Sequence, residues 1–369
     1  MTNPASPKKL NGHKQSMALS VVCVAFLLAQ IATPAGAQDR AYSQISGYMN
    51  LDIPPNSITV QSFPILATPI FSGRIASNVG GAISLDIPGE AVDIGELLLS
   101  NDSYYLEIHN PEGLEGHRFD IDVAATQQAS TNSIVLSTAA GNHNTLQAIP
   151  SLAGASFHLR PHWTLAKIFG TGMSGATMDS SADFSQADQV WVWIGRRVSV
   201  FWFRQNSANT IRNWRNVDTG ITNQDGFVIP PGDAVMVKRQ SVEEGIQLQL
   251  VGDVRQNRLI QNLAQGISLI ASGYPIDLSP VALDYDNLAG FTSATGFDVA
   301  DQIWTWTGRG VSVYWYRENT AGTIRGWRNV STGIQDQSST SFIMGGSGVF
   351  VQLNSQISAH TFALPFSLE

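Results

Sequence analysis

Cysteine is nearly absent: the chain has one in 369 residues, and Cys23 lies inside the apolar run 17–32 (MALSVVCVAFLLAQIA). A disulfide framework is therefore excluded, and the fold has to be held by a hydrophobic core. Charge is scarce too. Asp, Glu, Lys and Arg make up 14% of the chain, against roughly 25% in an ordinary soluble domain. Windows rich in Ala, Glu, Lys and Leu are missing, which excludes a protein of long helices; Gly, Ser, Thr and Asn fill their place. No nucleophile elbow, H-E-x-x-H or P-loop occurs, so the sequence nominates no catalytic residue, no metal and no cofactor.

What is present begins with an address. Lys8, Lys9 and Lys14 precede the apolar run, and Ala35-Gly36-Ala37 follows as an A-x-A cleavage site. The run is short for a bilayer span, so we expect a secretory signal peptide over 1–37. Its removal takes away three lysines and leaves 332 residues with 18 basic against 29 acidic side chains, a net of −11. These features predict a protein secreted from a bacterium or held in its periplasm or on its outer surface, with no membrane span after cleavage. They disfavour a nucleic-acid partner.

The rest is dominated by a duplication. Residues 188–221 match 301–334 without gaps at 23 of 34 positions. Each copy has period 2, and Gly195-Arg196 and Gly308-Arg309 suit two-residue hairpin turns. The register then pairs Trp193 with Val198 and Trp191 with Val200, and Trp306 with Val311 and Trp304 with Val313. The reverse face drifts from Val190, Val192 and Ile194 to Ile303, Thr305 and Thr307, which predicts that the retained indole face is the buried one. Arg204, Arg212, Trp214 and Arg215 return as Arg317, Arg325, Trp327 and Arg328. Arg212 and Trp214 share one strand face. Either they build an Arg–Trp ladder that closes each half, or Trp214, Arg212, Arg204, Trp327, Arg325 and Arg317 form a platform for a sugar or acidic polymer.

Residues 40–158 contain no tryptophan. Short strands are predicted at 45–53, 57–61, 72–77, 82–87, 104–108, 117–123 and 133–136, with a helical turn or two at 91–99. A fainter echo links 45–64 to 251–275: strand, polar turn, strand, then an aromatic just before a proline. The fold expectation is all-β. A small N-terminal β-barrel or sandwich (38–159) precedes a larger pseudo-twofold β-domain (160–369) built from two internal repeats, with halves at about 160–265 and 266–369. His158 and His162 lie about 13 Å apart on one strand face, too far for one metal. His109 and His117 flank a loop carrying Glu112 and Glu115, where they could converge. Asp284-Tyr285-Asp286-Asn287 uses calcium-loop residues without the loop's spacing.

The runs EGHRFDI (115–121), PHWTLAKIF (161–169) and ADQVWVW (187–193) resemble an uncharacterised family of exported proteins found chiefly in Verrucomicrobia and related bacteria. The resemblance covers most of the mature chain and rests on spaced short motifs. It implies export and this domain order, and it supplies no activity. One departure follows the Pro/Gly corner, where family members carry an aromatic doublet and this chain has Ala234-Val235 and Gly348-Val349. We therefore expect an exported, non-catalytic β-protein with a structural or adhesion role and a glycan or envelope component as partner. The alternatives are a glycan-binding module using the Trp/Arg platform, and a polysaccharide-active enzyme.

Overall fold

The computed structural model describes residues 45–365, apart from 88–91, 112, 173–177, 195–196, 209, 221, 284, 286–290 and 363. The expected signal segment, the Gly195-Arg196 turn, and Asp284 and Asp286 lie outside the described residues. Ile45–Glu369 forms one unit, and its regular structure is almost entirely antiparallel strand. The early strands are β1 (Ser46–Ile53), β2 (Ile58–Ser62) and β3 (Ile65–Leu66). Next come β4 (Phe71–Val79), β5 (Ala82–Asp86), β6 (Tyr104–Asn110), β7 (Arg118–Asp120), β8 (Ser133–Val135) and β9 (Ser156–Pro161). The first copy of the duplication is carried by β10 (Trp163–Thr164), β11 (Gln189–Ile194), β12 (Arg197–Gln205), β13 (Arg212–Asn216), β14 (Val228–Ile229), β15 (Ala234–Lys238) and β16 (Ile246–Val254). The second follows in β17 (Leu259–Leu263), β18 (Gly266–Ile270), β19 (Gln302–Trp306), β20 (Val311–Glu318), β21 (Arg325–Asn329), β22 (Val349–Leu353) and β23 (Ile357–Phe362).

The hairpin register is the one the period requires: Trp193 faces Val198, Trp191 faces Val200, Trp306 faces Val311 and Trp304 faces Val313. Gly308 holds φ +87° within the loop 307–310, a conformation that side chains with a Cβ rarely adopt. The two five-stranded sheets have matching orders, β2-β15-β11-β12-β13 and β18-β22-β19-β20-β21. Each half adds a second layer, β1-β16-β3 in one and β17-β23 in the other.

Chain order and domain order therefore differ. β1, β2 and β3 fall within 38–159, yet they pair with β15 and β16, from Ile58 opposite Lys238 to Ser62 opposite Ala234. The first half starts at the first described strand, and the strands of residues 71–161 are interpolated into it. Edge pairing is non-local, so reading the chain linearly put the boundary in the wrong place. β1 and β2 take the places in the first half that β17 and β18 take in the second.

The face expected to be buried needs correcting as well. Val190, Val192, Phe201 and Phe203 fill the core of the first half, with Leu51, Leu248 and Trp214. Ile303, Tyr316, Val349, Val351 and Trp327 do the same in the second. The retained indoles Trp191, Trp193, Trp304 and Trp306 are half-buried and lie between the halves, against Val60, Ala234, Met236, Leu269 and Phe350. A face can stay fixed because it packs on another copy of itself, and that rule overrode the inside-or-outside one.

The halves join through matched contacts. Ser62 N donates to Gly346 O (2.9 Å), and Ala271 N donates to Gly232 O (2.7 Å). Ala234 and Gly348 meet there, where a Cβ on Gly348 would stand 2.2 Å from the Ala234 Cβ. An aromatic doublet at these positions has no room.

The interpolated strands form a six-stranded sheet, β7-β6-β9-β4-β5-β8. Its end strands meet through a bridge of Ile121 with Leu136, flanked by Asp122 N to Val135 O (2.8 Å) and Ser137 N to Asp120 O (2.7 Å). Ile83, Leu106, Ile108, Phe119, Ile134, Phe157 and Leu159 are sealed inside. The strand predicted at 117–123 is shorter than expected. Asp122 caps a helix, Val123–Gln128, by accepting from Ala125 N (2.9 Å).

Candidate functional site

The platform nominated from the sequence does not assemble. Trp214 and Trp327 are both 0% exposed. Trp214 stacks on Phe203 at 5.1 Å between centroids, and its Nε1 donates to Gly170 O (3.0 Å). Trp327 stacks on Tyr316 at 5.3 Å. Phe203 stands opposite Trp214, and Tyr316 opposite Trp327, so both indoles enter the core face of their sheets. Arg212 shares that face and lies 5.2 Å over the Phe203 ring. Arg204 pairs with Asn213 and Arg317 with Gly326 on the reverse face. Arg325 reaches outward to Glu318 at 3.1 Å. The six residues therefore occupy two faces of two sheets. Trp202 and Trp315, opposite Arg215 and Arg328, are partly exposed on that reverse face, and sequence reasoning did not nominate them.

The retained Asp, Gln and Asn residues of the duplication are spent within the fold, on backbone groups and neighbouring side chains. Asp188 accepts from Asp179 N (2.6 Å) and Gln240 N (2.7 Å) and pairs with Arg239. Asp301 accepts from Thr292 N (2.7 Å) and Asn354 N (2.9 Å). Gln189 donates to Phe184 O (3.1 Å) and accepts from Trp191 Nε1 (3.0 Å). Gln302 does likewise with Phe297 O (2.8 Å) and Trp304 Nε1 (2.8 Å). Asn206 and Asn319 each close a loop by accepting from Thr210 N and Thr323 N (both 2.8 Å).

Titratable groups gather instead where the six-stranded sheet meets the duplicated body. Arg160 donates to Asp253 (2.7 Å) and to Ala67 O (2.7 Å), and Glu107 pairs with Arg255. Arg118 donates to Ile260 O (2.8 Å). Glu107, Arg118 and Arg160 from the six-stranded sheet, and Asp253 and Arg255 from the body, are all buried. Burial works against the Glu107 carboxylate, yet Arg255 and Arg160 hold it at about 2. Burial and Arg255 lower Arg118 to about 10. Asp233, which accepts from Gln261 Nε2 (2.6 Å), is pushed up to about 6 by burial.

The histidines sort into pairs that the sequence did not reveal. Asp120 reaches His143 Nδ1 and His162 Nε2, each at 3.0 Å, and these bonds hold its carboxyl well below the usual range despite burial. His109 does not converge with His117. It packs edge-on to His158 at 3.9 Å, and His158, lowered to about 3 by burial, meets Ser72 Oγ at 2.6 Å. His117 meets Thr145 Oγ1 at 2.9 Å. Among the described residues no group of three or more His, Cys, Asp or Glu is arranged to hold a metal ion. The Asp120 trio could relay a proton, since His143 is about one-third exposed.

One concave feature lies beside the seam between the halves: a hollow of about 410 Å³ lined by Trp193, Gln265, Gly266, Ile267, Gln352, Leu353 and Asn354. No family model, no curated protein and no solved structure matches this chain.

Proposed function

We propose that this is an exported, non-catalytic β-protein of the cell envelope or extracellular space, with a structural or adhesion role. The observation that carries the reading is how the residues retained between the two copies are used. The twin Asp, Gln and Asn residues bond backbone and side chains inside the fold, and the twin Trp214 and Trp327 fill the cores. A recognition surface leaves such groups free; a scaffold commits them. The apolar leader of 17–32 and the resemblance to exported Verrucomicrobial proteins support the location.

The test has two arms. Expressed in a bacterium with residues 1–37, the chain is expected in the envelope or medium, shortened at Ala37. The purified protein is expected to leave glycans, peptides and esters intact. Turnover that Asp120→Asn or His143→Ala abolishes would replace this reading with an enzymatic one.

A further inference from the structure

The two sides of the seam between the halves are built from equivalent strands but finished differently. On one side Trp306 Nε1 donates to Ile58 O at 2.8 Å. The equivalent pair on the other side is Trp193 and Ile267, since Trp191 faces Met236 as Trp304 faces Phe350, and β2 and β18 occupy matching edges. There the Trp193 indole packs edge-on to Phe350 at 5.6 Å, and its N–H has no acceptor among the described residues. The space left open is the hollow that Trp193 and Ile267 both line.

The walls of the hollow are uncharged. Gln352 and Asn354 stand where the first half has Lys238 and Gln240, and Leu353 where it has Arg239. Asn354 is held rigidly, donating to Val299 O (3.1 Å) and Asp301 Oδ1 (2.9 Å). Gln265 donates to Asn354 O (2.7 Å), which leaves its side-chain oxygen open, and Gln352 has no side-chain bond among the described residues. A half-buried indole with a spare donor beside two primary amides matches a ligand with one apolar face and a rim of hydroxyls. Each amide can donate and accept, as a hydroxyl does, and the volume falls in the range of small-molecule sites.

We propose that this hollow is a saccharide site, taking an uncharged pyranose ring that stacks on Trp193 and hydrogen-bonds to the amides of Gln265 and Gln352. The site would give the adhesion role its ligand, and it rests on that reading only for where the sugar is met.

The test titrates the purified protein with neutral cello-, xylo-, manno-, malto- and chito-oligosaccharides at millimolar concentration, by calorimetry and saturation-transfer NMR. At least one series is expected to bind. Gln265→Ala and Gln352→Ala should each weaken it about five- to tenfold, the loss of one hydrogen bond. Trp193→Phe should also weaken it, and Trp202→Ala, farther along the same sheet face and outside the lining of the hollow, should leave it unchanged. Gln265 is exposed, so its variant separates lost binding from lost folding. Three results overturn the proposal: no neutral series binds, binding ignores both glutamines, or uronate-bearing chains bind while neutral ones do not. A chain retained in the cytoplasm that still binds through Gln265 would sink the export reading and leave the site standing.

Discussion

The duplicated body meets itself and meets the six-stranded sheet by opposite means. Between the halves the contact is indole and aliphatic, and the same strands of both copies supply it. Between the body and the six-stranded sheet it is ionic, centred on Glu107, Arg160, Arg255 and Asp253. Duplication explains the contrast: a surface that packs on its own copy is most simply apolar, because like charges would face each other, whereas two unrelated surfaces can divide opposite charges. The apolar seam should therefore respond to volume and ignore pH, and the ionic seam should do the reverse.

The sharpest way to break this contrast is Glu107→Gln, which strands Arg255 and Arg160 without their anion. We expect a loss of about 3–5 kcal/mol, the cost of an uncompensated buried charge, read as a large fall in melting temperature. Acid should act through the same carboxylate. Its folded value of about 2 lies below the ordinary 4.5, so its contribution is complete above pH 4.5 and drains away as pH falls towards 2. That contribution is roughly 3 kcal/mol. A melting curve no steeper in pH for the natural protein than for Glu107→Gln would refute the ionic account.

Next in size is Gly348→Ala at the meeting point with Ala234. The extra carbon overpacks the apolar seam, costing about 1–3 kcal/mol, with the same loss expected at pH 5 and pH 7. A loss that varies with pH would blur the distinction between the seams. The smallest effect is expected at the solvent-facing Arg325–Glu318 pair, where Arg325→Ala should leave the melting temperature almost unchanged, with any fall vanishing in high salt. A larger cost would mean that Arg325 does more than pair on the surface.

Part of the candidate site was legible from sequence. The 158–162 spacing put these two histidines too far apart for one metal; in the fold His158 meets Ser72 and His162 meets Asp120. Which partners they find was not legible, because Asp120 lies 23 positions from His143 and 42 from His162. The Trp193 hollow was hidden for a different reason. A retained hydrophobic face looks the same whether it closes a core or docks on its twin, and only the unequal finish of Trp193 and Trp306 opens a space.

Local pattern alone determined most of the strands between 45 and 136 and the registers of the two retained hairpins, because period-2 side chains and turn geometry act over a few residues. The tertiary structure alone decided that β1 and β2 belong with β16 and β15, that Trp214 and Trp327 are sealed while Trp193 borders a hollow, and that Glu107 finds Arg255. Each of these depends on the second surface that a strand face meets, and that surface comes from distant parts of the chain.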